Sequence, residues 1–401
     1  MKLNKALLSG SIILLIAFNL FNVLNFVFQF SMARLLTVED YGVLATLFSI
    51  IYILGVFTEG VQTILAKYSS SEKSPGKVKN LLKRSINRAL IFSSILFLIY
   101  LAIAYPLSGL LKINYLLLSL NGLIIFTSFL TPISRGVMLG KKKFKSLGLN
   151  LVTDSTVKLV LAIILVLLGW KVYGAIAATI IGGVVAFLFS FRSLRAIMKS
   201  KEKEADASEI YNYSKPVIFL MLIIIAFYSL DVLVAKIVFP ADIAGYYALA
   251  SILGKTIFWG TQPISRAMFP LSAEKKTKTR GLLYNSLALV IGLIVLALLL
   301  FYFFPDLILT IFSGKEDISQ ASGILFFVGV SFGLQSLANL AILYKLSKSK
   351  LKRYLLFIIF PIIEVILLFL FSSSLIEFSL AYLFASLIFL IGTLLFLKSE
   401  Q

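Results

Sequence analysis

A series of apolar runs dominates this chain, and each run is long enough to cross a lipid bilayer as a helix. The hydrocarbon core of a bilayer is about 30 Å thick, so a spanning helix needs about 20 apolar residues. Twelve such runs occur, at residues 8–32, 41–66, 86–104, 115–138, 147–168, 173–191, 217–239, 243–269, 282–304, 323–344, 355–371 and 375–397. The composition agrees, with 60% hydrophobic and only 14% charged residues. The sequence predicts an all-α polytopic membrane protein with about twelve transmembrane helices.

The residue types that are missing exclude several kinds of chemistry. The chain has no cysteine and no histidine, which rules out disulfides, cysteine or histidine zinc sites and histidine general bases. It also has no phosphate-binding glycine loop. We therefore expect no catalytic residues, no metal site and no cofactor. Any energy requirement must be met by an ion gradient, the membrane potential or consumption of the product.

The positive residues lie mainly at one side of the predicted membrane. If the N-terminus is cytoplasmic, all but seven of the 38 Lys and Arg residues fall in the inner segments. The seven others are Arg34, Lys112, Lys158, Lys171, Lys236, Lys255 and Lys315. Cytoplasmic loops of membrane proteins carry such an excess, so we expect a multi-pass cell-membrane protein with both termini in the cytoplasm. The net charge of +20 is then largely topological, and we expect no nucleic-acid partner.

The longest polar stretch divides the chain into two halves of six runs each. This predicts an N-terminal six-helix bundle at 1–198, a cytoplasmic linker at 199–210 and a C-terminal six-helix bundle at 211–401. The halves share a weak pattern, in which Arg34 matches Lys236 and Gly42 matches Gly245. Six helices separate equivalent positions, which predicts a parallel repeat with a substrate site expected between the halves.

Three stretches resemble a known family. ARLLTVEDYGVLATLFSI, which starts at residue 33, resembles the opening of the prokaryotic polysaccharide exporters, the flippases of lipid-linked oligosaccharides. KLVLAIILVLLGWKVYGAIAA at 158–178 resembles their fifth and sixth helices, and AGYYALASIL at 244–253 resembles the start of their eighth. The family belongs to the multidrug/oligosaccharidyl-lipid/polysaccharide superfamily.

The resemblance implies both a fold and a function. The fold is a V of two six-helix bundles around a central cavity, lined mainly by the first, second, seventh and eighth helices. The implied function is to move undecaprenyl- or dolichyl-diphosphate-linked glycans from the inner to the outer leaflet by alternating access. The implied partners are membrane lipids, the lipid-diphosphate-linked glycan and the glycosyltransferases or polymerase of the same pathway. We expect a monomer in a prokaryotic cell membrane.

Charged residues inside the runs or at their ends are the candidate site residues, since a charge at the bilayer centre costs about 2.5–3.5 kcal/mol. At 1.5 Å per residue, Lys158 and Lys255 fall near the midplane, whereas Arg34 and Lys236 fall near the outer interface. A diphosphate is an anion, so these cations are the candidates for substrate binding. The candidates for ion coupling are the acids Glu59, Asp154, Asp231 and Glu364.

Each charge also has a structural alternative, and two other functions remain open. Asp154 and Lys158 are four residues apart on one helical face and can neutralise each other. Asp231 and Lys255 lie at similar depth and can form a bridge between helices. The other functions are a multidrug or small-molecule antiporter of the same superfamily and a membrane-embedded glycosyltransferase or polymerase. Lysines at the midplane disfavour a site for organic cations, and short outer loops disfavour an enzyme.

Overall fold

The computed structural model is all-helical in the part of the chain that it describes, which comprises residues 5–204, 215–273, 279–348 and 354–399. The helices of the first half are α1 (Lys5–Leu35), α2 (Val38–Ser71), α3 (Pro75–Leu111), α4 (Tyr115–Gly122), α5 (Ile124–Gly140), α6 (Phe144–Leu165) and α7 (Lys171–Lys199). Those of the second half are α8 (Lys215–Val238), α9 (Ala241–Ala273), α10 (Thr279–Phe303), α11 (Pro305–Ser313), α12 (Ser319–Lys348), α13 (Ile359–Leu370) and α14 (Leu375–Ser399). A tight connection, Val166–Trp170, joins α6 to α7 with a kink at Gly169, and a 3-10 segment, Tyr354–Ile358, precedes α13.

Every one of the twelve apolar runs is helical, which confirms the predicted fold class. Within the described residues, eight stretches are long and apolar enough to span a membrane, and Tyr354–Leu370 is a shorter apolar one. The stretch Phe144–Lys199 holds two helices, because α6 and α7 meet at the kinked connection without a polar loop. The fourth run divides into α4 and α5 at Leu123. The short helix α11 lies in a segment that the sequence assigns to an outer loop, and it begins at a proline.

The chain forms two compact units. The first comprises Met1–Leu36 with Leu54–Ser214, and the second comprises Thr37–Ile53 with Lys215–Gln401. The first half of α2 therefore groups with the C-terminal half of the chain. A contiguous division into 1–198 and 211–401 keeps all of α2 with the N-terminal half. The predicted linker, 199–210, is described only as far as Glu204, and its remainder lies outside the described residues.

The N-terminal unit is built on the hairpin of α6 and α7, which pack closely along their lengths. Helix α1 packs on α6, α5 packs on α7, and α3 packs on α5. Two lysines of the α5–α6 connection donate to backbone carbonyls: Lys141 Nζ donates to Glu72 O, just after α2, at 2.6 Å, and Lys143 Nζ donates to Ser193 O of α7 at 2.5 Å. These bonds tie the short α5–α6 connection to the ends of α2 and α7.

The first residues of the linker are attached to the start of α3. Glu202 accepts hydrogen bonds from Lys83 Nζ at 2.7 Å and from Asn80 Nδ2 at 2.9 Å. These two bonds lower the pKa of the Glu202 carboxyl from its usual value. Gly76 is required here because a Cβ at that position would lie 2.1 Å from the carbonyl oxygen of Lys201. The linker therefore leaves the N-terminal unit beside α3.

The C-terminal unit is organised around α12, which packs against α9, α14 and α10. Helix α8 packs against both α13 and α9. Two glycines bring α2 close to α9 within this unit. A Cβ at Gly42 would lie 2.9 Å from Cα of Gly245, and a Cβ at Gly245 would lie 2.3 Å from the carbonyl oxygen of Val38. The sequence pattern pairs these same two glycines, one from each half.

Candidate functional site

Several of the described charged residues within the helices belong to two polar clusters, one in each unit. The N-terminal polar cluster consists of Asn25, Arg135, Asn150, Asp154 and Lys158. The C-terminal polar cluster consists of Asp231, Tyr247, Ser251, Lys255 and Glu364. Five of the eight predicted site residues, namely Asp154, Lys158, Asp231, Lys255 and Glu364, belong to these clusters.

In the N-terminal polar cluster, Asp154 of α6 pairs with Arg135 of α5. The Arg135 Nη2 to Asp154 Oδ2 distance is 2.7 Å, and both side chains are largely buried, at 11% and 20% exposed. Arg135 Nε donates to the Asn150 side-chain oxygen at 2.8 Å, and Asn150 Nδ2 donates to the Ala186 carbonyl at 2.6 Å. This chain of bonds joins α5, α6 and α7 and fixes the Asp154 carboxylate.

Lys158 lies one turn beyond Asp154 but bonds to a different helix. Its ammonium donates to the Asn25 side-chain oxygen of α1 and lies 4.7 Å from the centroid of the Phe28 ring. Among the described residues no carboxylate lies within ion-pair distance of Lys158. The hydrogen-bonded pairing of Asp154 with Lys158, one of the sequence alternatives, is therefore not formed, because Arg135 takes the carboxylate. Asp154 still acts on Lys158 electrostatically at longer range.

Charge counting gives the N-terminal polar cluster an excess of one positive charge. Arg135 and Lys158 contribute two cations, and Asp154 contributes one anion. Lys158 is half-buried, and the amide and ring that hold it are neutral. The cluster thus presents a cation within the helical part of the unit, and such a cation suits an anionic ligand.

The C-terminal polar cluster is more deeply buried. Lys255 Nζ of α9 lies 3.3 Å from Asp231 Oδ1 of α8, and the two side chains are 3% and 0% exposed. Asp231 Oδ2 accepts bonds from Ser251 Oγ at 2.5 Å and Tyr247 Oη at 3.3 Å. The sequence alternative of a bridge between these helices is the arrangement that the structure contains.

Aromatic rings enclose the ammonium of Lys255. The ring centroids of Tyr228 and Phe332 lie 4.7 and 5.7 Å from Nζ. Such cation–π contacts supply about 0.5–2 kcal/mol each, with the larger values at desolvated sites. Lys255 is therefore held by one carboxylate and two aromatic rings in this conformation.

Glu364 of α13 is the most unusual member of the C-terminal polar cluster. Its side chain is fully buried, and neither carboxyl oxygen has a hydrogen-bond partner among the described residues. It interacts electrostatically with Asp231 and Lys255. An ionised carboxylate buried without hydrogen bonds is costly, so this position is suited to a group that gains or loses charge.

The remaining predicted site residues lie apart from the two clusters or outside the described side chains. Arg34, in the last turn of α1, is exposed, and its guanidinium lies 4.7 Å from the Phe30 ring centroid. Lys236 lies in the last turn of α8, as predicted, but its side chain is only 3% exposed. Helix α2 contains Glu59, whose side chain lies outside the described residues.

Three members of the N-terminal polar cluster, Asn25, Arg135 and Asn150, are not among the site residues predicted from the sequence. The cation count places Arg135 in an inner segment, although it falls inside the fourth apolar run, at 115–138. Asn25 lies in the middle of the first run, and Asn150 lies near the start of the fifth. In all three cases the available signal is a polar side chain within an apolar run, which usually faces the interior of a bundle.

Comparisons with known proteins agree with this architecture. An uncharacterized membrane protein of Methanocaldococcus jannaschii is 26% identical over 311 residues, covering 72% of each chain. The fold is similar to that of an inward-facing multidrug resistance MATE family transporter of the MOP superfamily, with a TM-score of 0.77, 13% identity and coverage of 94% of this chain and 95% of the other. It is also similar to the lipid II flippase MurJ in an inward closed conformation, with a TM-score of 0.73, 17% identity and coverage of 96% and 87%.

A third solved structure comes from Pyrococcus furiosus. It is a MOP superfamily transporter described as having a binding pocket of reverse polarity, and it matches with a TM-score of 0.61, 15% identity and coverage of 99% and 95%. At such identities these likenesses concern the fold. The family model described as "Polysaccharide biosynthesis protein" matches residues 31–317, which is well over half of the chain. With its multi-pass helical architecture, the chain belongs to this polysaccharide biosynthesis protein family.

Proposed function

We propose that this protein is a flippase that moves a polyprenyl-diphosphate-linked oligosaccharide from the inner to the outer leaflet by alternating access. Membership of a polysaccharide biosynthesis family and a fold shared with a lipid II flippase support this function. The pathway's glycosyltransferases or polymerase are the proposed partners. The protein acts as a monomer in a prokaryotic cell membrane, with both termini in the cytoplasm.

The observation that carries the proposal is the excess positive charge of the N-terminal polar cluster. Arg135 neutralises Asp154, which leaves Lys158 with a neutral amide and an aromatic ring as its close contacts. A cation about 5 Å from a phosphate charge gains on the order of 3 kcal/mol at an effective dielectric constant of 20. Lys158 is therefore the proposed contact for the diphosphate. Arg34, Lys236 and Lys255 remain proposed contacts in other conformations of the cycle.

The C-terminal polar cluster is the proposed site of ion coupling. Neither carboxyl oxygen of Glu364 has a hydrogen-bond partner in the described part of the chain. Glu364 and Asp231 both interact electrostatically with Lys255. Uptake or release of a proton at Glu364 would change the net charge around Lys255 by one. A change of that size in a buried site can bias two conformations of the unit. Asp154 and Glu59 are weaker candidates, because Arg135 holds Asp154 and the Glu59 side chain lies outside the described residues.

Reconstitution in liposomes tests the proposed function. Labelled polyprenyl-diphosphate sugars are expected to become accessible from the opposite leaflet faster with the protein than without it. Lys158→Gln is expected to slow this movement about tenfold, because one charged contact to phosphate is lost. Lys158→Arg retains the charge and should retain most of the activity. The matched control is Lys112→Gln, which removes an exposed lysine from the same unit.

The outcomes separate the proposed function from its alternatives. Lys158→Gln leaves no buried ion unpaired, because Asp154 keeps Arg135, so the variant should fold normally. Equal rates for Lys158→Gln and the native protein would remove Lys158 from the site. Transport of an organic cation, with no acceleration of any lipid-linked sugar, would favour an antiporter. Extension or transfer of the sugar would favour an enzyme.

Cysteine labelling tests the proposed orientation, and the chain has no cysteine of its own to interfere. Ser200 lies at the start of the linker, which is attached to the start of α3. Lys112 lies in the short connection after α3, at the other end of that helix. Each is replaced by cysteine in turn. An impermeant maleimide is expected to label position 112 on intact cells and position 200 only after the membrane is opened. Labelling of position 200 on intact cells would reverse the orientation.

A further inference from the structure

The connection between α6 and α7 has an unusual backbone. Val166–Trp170 does not form a regular helix, because its backbone kinks at Gly169 between α6 and α7. Gly169 has φ +89°, which a glycine adopts without steric cost. Lys171 has φ 46° and ψ −132°, a region that residues with a Cβ rarely adopt. The strained position therefore carries a long cationic side chain where a glycine would relieve the strain.

A cleft opens beside this segment. Its volume is about 450 Å³, and its lining residues are Leu120 of α4, Gly169, Trp170, Lys171, Tyr173 and Ala177. A volume of this size lies within the range of about 300–1,000 Å³ that is common for small-molecule sites. Helices α4 and α7 both begin at this end of the unit, which the proposed orientation places at the outer membrane surface.

The residues around this cleft are those expected at a surface that faces lipid. Leu167 and Leu168 are each 68% exposed, and Trp170 is 56% exposed, so the α6–α7 connection presents an apolar surface. In a membrane protein such a surface contacts acyl chains. Tryptophan and tyrosine are enriched where the acyl region meets the head groups, and Trp170 and Tyr173 line the cleft together with Lys171.

We propose that this cleft binds an acidic phospholipid of the outer leaflet. The Lys171 ammonium pairs with the phosphate, which lies at the level of the aromatic residues. The first part of an acyl chain lies along Leu120 and Ala177, the apolar residues of the cleft. Charge complementarity selects an acidic lipid over a zwitterionic one, because the zwitterionic head group brings its own cation to the phosphate. This site is separate from the N-terminal polar cluster.

Native mass spectrometry of the purified full-length protein tests the site, with phosphatidylglycerol and phosphatidylcholine as probes. We expect the native protein to retain phosphatidylglycerol about tenfold better, and Lys171→Gln to abolish the difference. Lys171→Arg keeps the charge and the preference. Lys112→Gln, which removes an exposed lysine that also has positive φ at the same end of the unit, leaves the preference unchanged.

Two further variants separate lipid binding from folding. Lys171→Gly is expected to lose the preference for phosphatidylglycerol while its melting temperature stays the same or rises, because glycine relieves the backbone strain. Ala177→Phe fills the cleft and is expected to reduce retention of both lipids. Equal retention of the two lipids by the native protein, or an equal loss in Lys112→Gln and Lys171→Gln, would overturn the proposal. Displacement of phosphatidylglycerol by an equimolar polyprenyl diphosphate would reassign the cleft to that lipid.

Discussion

Lys255→Met is expected to lower the unfolding free energy of the protein by about 3–5 kcal/mol, because it leaves the Asp231 carboxylate buried without a cation. Asp231 is 0% exposed, and the hydrogen bonds from Ser251 and Tyr247 cannot replace a full positive charge. Thermal or denaturant unfolding of the purified protein measures the effect. Lys112→Met, at an exposed position, is the matched control and should unfold as the native protein does.

The double variant Asp231→Asn with Lys255→Met is expected to recover most of that loss. Asparagine retains an oxygen that accepts the bonds from Ser251 and Tyr247, and methionine packs favourably against the rings of Tyr228 and Phe332. Replacing both members of a buried ion pair is often close to neutral for stability. The double variant therefore also tests function without a folding defect. A stable double variant that moves lipid-linked sugar at the native rate would exclude both residues from substrate binding and coupling.

Gly245→Ala is expected to disrupt the packing of α2 against α9 and to lower stability by about 1–3 kcal/mol or more. The new Cβ would lie 2.3 Å from the Val38 carbonyl oxygen. Residues 38 and 245 belong to helices, so neither backbone can move away on its own. Gly42→Ala should have a smaller effect of the same kind, because its Cβ would lie 2.9 Å from the Cα of Gly245. Unfolding measurements on the same protein preparation check both variants.

Gly260→Ala is the matched control for the close approach. Gly260 lies on the same helix, α9, and a Cβ there would meet no atom within 4 Å. Alanine at such a position favours the helix by about 0.5–1 kcal/mol. We therefore expect opposite signs for the two substitutions on α9. If Gly245→Ala were as stable as Gly260→Ala, the helices would not approach as closely as the structure indicates.

The helices were predictable from the sequence, but most of the contacts among the charges were not. A lipid environment forces each backbone to satisfy its own hydrogen bonds, so apolar runs of sufficient length identify the helices directly. The break at Leu123 and the short helix Pro305–Ser313 carry no such signal, because each is a local adjustment within an apolar or loop segment. Pro305 at its start and Gly314 at its C-cap are local cues for the second of these.

The candidate site shows the same division. Depth along the helices predicts the contact of Asp231 with Lys255 as one alternative, and the structure contains it. Residues at equal depth on neighbouring helices can reach each other. Spacing along α6 suggested Asp154 with Lys158, but a residue on another helix, Arg135, competes for the carboxylate. Helical spacing describes one face of one helix, and it contains no information about which neighbour lies against that face. The substrate and coupling roles stay predictions until transport is measured.

Because the chain is synthesised from its N-terminus, the partners of Lys158 and Asp154 are made before these two residues. A ribosome makes the N-terminal segments first, so α1 with Asn25 enters the membrane 133 residues before Lys158. Arg135 likewise precedes Asp154, by 19 residues. When α6 emerges, the amide for its lysine and the guanidinium for its aspartate have already been made. The cost of placing two charges of one nascent helix in the bilayer is thus offset during biogenesis by helices that arrived earlier.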